Sequence, residues 1–307
     1  MQAVAANPSG PLDEERAWTL IRELLRRTRN GGFSARSSGL RIDDAGRLEE
    51  VAADHAWIRV DPAADRCFQV VARLSPAMTE LLALYLPLCL GKSGRALCFA
   101  HVGQSLDGQI ATASGASRNV TGPENIRHMH RLRALCDAVL VGACTVERDD
   151  PQLTTRLVPG SNPVRVVIDP SLRLPLQSRV YQEAAAPTLV VCARGARGAG
   201  PRAAHVEVLE LEQRDGVLEP SAIVAALGER GLTRLFIEGG GVTVSRFLAA
   251  RALDRLHVTI SPIFIGAGHP GILLPAIDDL RGALRPRSRR FLLGQDVLFD
   301  CQLDTSA

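Results

Sequence analysis

Lysine is almost missing from this chain: Lys92 is the only one among 36 basic Lys and Arg residues. Arginine carries the positive charge, 33 acidic residues are mixed in with it, and the formal net charge is only +3. No basic face of the kind a nucleic acid requires is legible. The seven cysteines (Cys67, Cys89, Cys98, Cys136, Cys144, Cys192 and Cys301) include no C-x-x-C pair and no zinc-ligand spacing. Their odd number and apolar settings read as free thiols in a reducing compartment, with neither a disulfide framework nor a metal centre. The N-terminus lacks a basic segment followed by an apolar core, and the apolar run 81–90 is short and interrupted by Pro87. A secretory signal and a membrane span are therefore not expected, and a cytoplasmic protein is. Gly91-Lys92-Ser93 ends like a Walker A loop, but Leu86 occupies the position where that motif needs its first glycine.

What remains is 307 residues, 46% apolar and 22% charged, enough for one large domain or two modest ones. Residues 1–12 are rich in Ala, Asn, Pro, Ser and Gly and are expected to be disordered. Residues 13–90 read as a small α+β module of unassigned role. Asp13 caps a helix to about Arg29, with Trp18, Ile21, Leu24 and Leu25 on one face, and Asn30-Gly31-Gly32 ends it. Residues 33–50 look turn-rich. Two short strands, 56–60 and 68–71, flank a turn, and a second helix starts at Ser75-Pro76 and runs to about Tyr85.

From residue 95 to 307 the texture becomes alternating strand and helix. Apolar strands at 97–102, 138–141, 164–168, 188–192, 235–237 and 256–260 alternate with helices at 125–134, 218–230 and 243–250, and a strand pair closes the chain. That alternation predicts an α/β fold with a mostly parallel sheet covered on both faces and antiparallel strands at one edge.

Ligands in such sheets bind beyond the carboxyl ends of the strands. Polar clusters fall there: Ser105-Leu106-Asp107-Gly108, then 142–150, then 169–173, then Glu238-Gly239-Gly240-Gly241-Val242-Thr243. The last is strand, glycine turn and helix, a geometry that lets a phosphate approach free backbone N–H groups, or a tight turn with no ligand. It is not the Rossmann fingerprint, because the first strand-to-helix turn holds no G-x-G-x-x-G. Asp149-Asp150 before Pro151 suits a ribose, a metal or a helix end. Arg133 and Arg156 suit a substrate phosphate or surface ion pairs. His128 and His130 lie two apart on a helix, cannot form a helical metal pair, and read as surface or capping residues. His101, beside the first polar turn, is either a satisfied core histidine or a proton donor.

Residues 97 to about 303 resemble the pyrimidine reductase of riboflavin biosynthesis, which is the C-terminal half of the bacterial bifunctional deaminase/reductase and a stand-alone enzyme in archaea. The matching residues include Ser105-Leu106-Asp107-Gly108, Ser114-Gly115-Ala116-Ser117, Leu132-Arg133-Ala134, Thr145-Val146, Asp149-Asp150-Pro151, Leu153-Thr154, Arg156, Glu238-Gly239-Gly240, Ser261-Pro262 and Gly266. The resemblance implies a dihydrofolate-reductase-like α/β fold, a homodimer, and NADPH-dependent reduction of the ribosyl group of a phosphoribosylaminopyrimidine to ribityl. It implies substrate contacts at Ser117, Arg133, Leu153, Arg156 and Glu238. NADPH contacts are implied at Gln104, Asn119, Thr145, Asp149, Gly240, Gly241, Val242 and Thr243. Acid–base roles fall to Glu238, His101 and Asp107, with no metal. For the cofactor's 2′-phosphate, Arg173 and the arginines of 194–202 come first.

This chain has Asn119 where many bacterial members have Trp. It has His101 where they often have Lys, which would replace a fixed charge by a titrating one. Residues 1–90 lack the His-x-Glu and Pro-Cys-x-x-Cys zinc site of the deaminase half, so deamination is not expected. Two alternatives stay open: a same-fold NADPH reductase of a pterin or specialised pyrimidine metabolite, and a non-catalytic binding or regulatory protein.

Overall fold

The structure, a computed structural model, describes residues 12–30, 38–52, 54–61, 68–90, 95–198, 200 and 203–303. The chain divides into two compact units, Met1–Lys92 and Ser93–Ala307. The readings made for residues 1–11, Gly31-Gly32, the turn after Asp61, Cys67, the glycine linker at 91–94 and Arg202 lie outside the described residues.

The first unit holds α1 (Glu14–Arg29), β1 (Ser38–Ile42), β2 (Leu48–Val51), β3 (Ile58–Val60), β4 (Phe68–Val70) and α2 (Pro76–Leu90). The Asp13 carboxylate accepts from the Arg16 N–H at 2.8 Å and starts α1. Glu14 and Glu15 in its first turn and Arg26, Arg27 and Arg29 in its last complement the helix dipole. Its apolar face is buried, and Trp18 meets Tyr85 of α2 edge-on at 5.7 Å. The four strands form an antiparallel sheet in the order β2-β1-β3-β4.

Two expectations change here. The stretch read as turn-rich contains the β1–β2 hairpin, whose turn is tied by Asp43 accepting from the N–H groups of Ala45 (2.9 Å) and Arg47 (2.8 Å). The polar residues that suggested a loop are that turn and the outward face of a short hairpin. α2 also continues five residues beyond Tyr85, through Pro87, with Leu86, Leu88 and Cys89 buried on that last stretch.

The second unit begins with β5 (Leu97–Ser105), β6 (Gln109–Thr112), α3 (Pro123–Leu135), β7 (Ala138–Gly142), α4 (Ala143–Asp149) and β8 (Val164–Ile168). It continues with α5 (Arg179–Gln182), β9 (Thr188–Ala193), β10 (Val206–Leu211), α6 (Pro220–Glu229), β11 (Arg234–Glu238) and α7 (Gly241–Ala249). β12 (Arg255–Ser261), β13 (Gly268–Pro270), β14 (Arg287–Leu293) and β15 (Asp296–Gln302) complete it. Nine strands form one sheet in the order β10-β9-β8-β7-β11-β5-β12-β15-β14, and a small β6–β13 ribbon stands apart. Seven are parallel, and the β14–β15 hairpin joins β12 antiparallel at one edge. This is the mostly parallel α/β sheet with flanking helices that the sequence predicts.

Alternation decides what each face of the sheet holds. Ala100, Val102, Leu235, Ile237 and Leu256 point to the face covered by α6 and α7, where Ile223, Leu227, Val244 and Phe247 complete an apolar core. Each of the Val, Leu, Ile and Phe side chains contributes about 1.5–3 kcal/mol on burial. Their sequence neighbours point the other way, under α3. Phe99 and Phe236 stack there at 5.3 Å. Next along the strands comes a row of polar residues matched in register across five strands: Glu238, His101, His257, Asp300 and Arg289.

Candidate active site

The carboxyl ends of β5, β7, β8 and β11 surround a cavity of about 690 Å³. α3 forms one wall through Asn125, Met129, His130 and Arg133; the turn entering α4 and the end of β8 form the opposite part through Cys144, Thr145, Ile168 and Arg173. The floor is the glycine turn Glu238–Thr243. Gly239 has φ +154, a conformation side chains rarely adopt, and a Cβ there would lie 3.2 Å from the Thr145 hydroxyl. The Gly240 N–H donates to the Thr145 hydroxyl at 3.1 Å, which joins the α4 turn to the α7 turn. A Cβ on Gly241 would run into the backbone carbonyls of Pro270 and Gly271. Glycine is therefore required where α7 begins, and no side chain caps that helix start.

The centre of the cavity is an ion pair. Glu238 accepts from Arg133 Nε at 2.7 Å and from Arg133 Nη2, while Arg133 Nη1 donates to the Thr154 carbonyl at 3.0 Å. Both side chains are largely enclosed, at 10% and 14% exposure. Burial opposes the Arg133 charge, but the Glu238 charge and hydrogen bonds outweigh it and raise the guanidinium pKa. Arg133 thus has its fork engaged by Glu238, 105 residues away, while it also lines the cavity where a substrate contact was expected of it. Arg156 is the more exposed cation, held by Nη1 donating to the Thr154 hydroxyl at 2.7 Å.

Around the pair the expected residues separate. Ser117, Arg156, Thr145, Asp149, Gly240, Gly241, Val242, Thr243 and Arg173 line the cavity. The Ser117 hydroxyl donates to Asp149 at 3.1 Å, so a residue assigned to substrate touches one assigned to cofactor. Gln104, Asn119 and Leu153 do not line it; the neighbours Gly103, Val120 and Thr121 do. Gln104 turns toward Gly271 instead. Asn119 (φ +64) and Leu153 (φ +55) are left-handed, and Leu153 is buried, so each shapes the chain beside the cavity. Among the described arginines of 194–202, Arg194 pairs with Glu212 at 2.6 Å and none lines the cavity.

Two of the residues given acid–base roles sit in settings that the sequence did not suggest. Asp107 is exposed and outside the cavity, where it accepts from the Ser105 hydroxyl (2.5 Å) and from the N–H groups of Ile265 (3.1 Å) and Gly266 (2.6 Å). Those bonds, led by Ser105, lower its pKa to about 2, and its task is to tie the 261–267 turn to β5. His101 does reach the cavity wall but is buried, with Nε2 at 2.9 Å from Asn125 Oδ1 and 3.0 Å from Thr259 Oγ1. Burial, then the neighbouring His257, lowers its pKa to about 3. It is neutral at physiological pH and supplies no titrating charge.

The histidines expected at the surface are buried as well. His128 lies on the inner face of α3 with Nε2 3.1 Å from His257 Nδ1, and His130 Nδ1 accepts from the Arg156 N–H at 3.0 Å. The sequence reading also missed Asn125, whose amide ties Thr121 (2.9 Å) to His101 and Thr259. An asparagine one turn into a helix after Thr121-Gly122-Pro123 gives no sign in sequence that it faces inward.

A family model described as the RibD C-terminal domain matches residues 81–287. The chain belongs to the RibD C-terminal domain family. Within that family it is 34% identical to the 2,5-diamino-6-ribosylamino-4(3H)-pyrimidinone 5′-phosphate reductase of Methanothermobacter thermautotrophicus over 213 residues, 65% of this chain and 94% of that one. A reductase of the same name from Archaeoglobus fulgidus is 35% identical over 186 residues, 56% of this chain and 83% of the relative. Among solved structures, the Thermotoga maritima diaminohydroxyphosphoribosylaminopyrimidine deaminase/5-amino-6-(5-phosphoribosylamino)uracil reductase superposes with a TM-score of 0.58 at 27% identity. That match covers 74% of this chain and 62% of the bifunctional one. RibD C-terminal domain relatives thus include stand-alone reductases that this chain spans nearly whole. No described helix is long and apolar enough to cross a membrane.

Proposed function

We propose that the chain is an NADPH-dependent oxidoreductase that reduces the ribosyl group of a phosphoribosylaminopyrimidine to ribityl, the riboflavin-pathway reaction. The observation that carries this reading is one cavity that joins two unlike features. A glycine-built helix start with open backbone N–H groups borders it, and the enclosed Arg133–Glu238 pair sits directly before that turn at the cavity's centre. The helix start fits a dinucleotide: Gly241 and Val242 present amides to a pyrophosphate, Thr145 and Asp149 border it, and Arg173 on the same lining offers a cation for a 2′-phosphate. Arg173 now pairs with Glu147 at 3.0 Å, an exposed and therefore exchangeable ion pair. The bound nicotinamide would supply the hydride.

The protein's own groups bind and orient. Ser117 and Arg156 take the polar edges of the substrate. Glu238 accepts from Arg133 on both oxygens, so it offers no O–H and acts as a fixed negative charge. Such a charge favours the cationic imine character that develops at the sugar carbon when the ring opens. The proton for the sugar oxygen then comes through water at the cavity mouth. A turnover assay with the deaminated and undeaminated pyrimidine phosphates tests this reading. NADPH oxidation with one of them, and thermal stabilisation by NADPH above that by NADH, are the expected results. No oxidation with either substrate and no shift with either dinucleotide would overturn it.

The active form is a homodimer in the same reading. Leu292 on the open edge strand β14 is 72% exposed, and Leu280, just before that strand in sequence, is 74% exposed. Apolar side chains of that size beside an unpaired strand edge suit a second copy. Light scattering is expected to give twice the chain mass, and Leu292→Arg to give the chain mass; a wild-type monomer at micromolar concentration counts against the dimer. The same reading places the protein in the cytoplasm, where the six described cysteines, all free, would stay reduced.

A further inference from the structure

Three charged residues end α4: Glu147, Arg148 and Asp149. The two acids are already engaged, Glu147 with Arg173 at 3.0 Å and Asp149 with the Ser117 hydroxyl at 3.1 Å. The Arg148 side chain makes no hydrogen bond or ion pair among the described residues. It also lines two spaces at once, the main cavity and an adjoining pocket of about 260 Å³. Ala113, Ser114, Gly115 and His269 complete the small pocket. Ser114 carries a hydroxyl 2.9 Å from the Thr112 hydroxyl, and His269 is half-buried on β13. An arginine fork, an imidazole and a hydroxyl converge on a concave rim that contains no carboxylate.

We propose that Arg148, with Ser114 and His269, forms an anion subsite for a phosphate monoester at the rim of the cavity. An arginine fork matches the oxygens of a phosphate bidentately, and a hydroxyl and an imidazole N–H can complete the set. Arg156, Arg173 and Arg246 line the main cavity too, but only Arg148 among these arginines also lines the small adjoining pocket. The proposal rests on the function given above only for the source of the phosphate, which is either the substrate's pentose phosphate or the 2′-phosphate of the cofactor.

Calorimetric titration of the full-length wild type, Arg148→Ala and Arg148→Lys with ribose 5-phosphate, ribose, NADPH and NADH tests it. Loss of a charge-assisted contact weakens binding about tenfold to a hundredfold. Arg148→Ala is expected to weaken one phosphate-bearing ligand by that factor and leave ribose and NADH unchanged, with Arg148→Lys recovering part of the loss. A loss confined to ribose 5-phosphate assigns the subsite to the substrate; a loss confined to NADPH assigns it to the cofactor. Wild-type-like binding of both, or equal losses for the ligand with and without its phosphate, overturns the proposal. If the wild type binds none of these ligands, the reductase reading falls and inorganic phosphate becomes the probe. Phosphate binding that Arg148→Ala abolishes then still supports the subsite, and absent or unchanged binding removes it.

Discussion

Replacing Arg133 by alanine is expected to destabilise the second unit by about 3–5 kcal/mol and to lower kcat/KM by about 100-fold or more. The reasoning starts from burial. Removing Arg133 leaves the Glu238 carboxylate enclosed without its counter-charge and the Thr154 carbonyl without its donor. A domain stable by about 5–15 kcal/mol loses a large fraction of that margin. The loss of activity has a different cause: without its arginine, Glu238 is no longer held at a fixed place on the cavity floor, and misplacement by about 1 Å costs about 100-fold.

The two effects separate in the double variant Arg133→Met/Glu238→Leu. An apolar pair of similar volume is expected to restore urea stability to within about 1–2 kcal/mol of wild type while activity stays lost. Normal turnover by that variant would show the pair to be structural only, and would sink the role given to Glu238.

The second large effect is acid sensitivity beginning well above the range where carboxylates protonate. Burial, followed by nearby positive groups, lowers the pKa of His101 to about 3, lowers His130 to about 4 and lowers His128 as well. The unfolded chain binds protons at these positions near the ordinary value of about 6.5, and the folded protein does not until far lower pH. Protonation therefore favours the unfolded state. The stability is fully present above about pH 6.5 and is lost as pH falls from there toward 4 and 3. Each histidine contributes a slope of about 1.4 kcal/mol per pH unit, so three acting together remove about 4 kcal/mol between pH 6 and 5. Asp107, with its pKa lowered to about 2, adds a loss in the same direction only below about pH 4. Urea unfolding at half-unit steps from pH 7.5 to 4.5 distinguishes the two windows. Stability that stays flat down to pH 5 would show that the histidines are not held neutral. His101→Gln is expected to reduce the slope by about a third.

Much of the architecture was legible because local pattern and burial agree. Apolar strands such as 138–141 and 235–237 are buried on both faces, so their sequences carry no alternation to misread. The glycine run after Glu238 announced its turn because only glycine tolerates Gly239's backbone and Gly241's neighbours. The site was harder to read where function depends on pairing between distant residues. Arg133 and Glu238 were both singled out, but sequence does not say that a cation and an acid 105 positions apart neutralise each other. His128 and His130 read as surface residues because imidazole is polar. Burial becomes tolerable when a histidine stays neutral and finds partners on other strands. Asp107 stood inside a conspicuous motif, yet the carboxylate serves a turn.

The polar row under α3 has a further consequence for how the protein matures. Glu238, His101, His257, Asp300 and Arg289 meet only if β11, β5, β12, β15 and β14 are all in register. A slip of one residue in the terminal hairpin turns Asp300 to the opposite face, leaves Arg255 without its carboxylate (2.5 Å in the native pairing), and places an apolar neighbour against His257. The register of the β14–β15 hairpin is thus locked by buried charge as well as by apolar packing, in the same row that ends at Glu238 on the cavity floor.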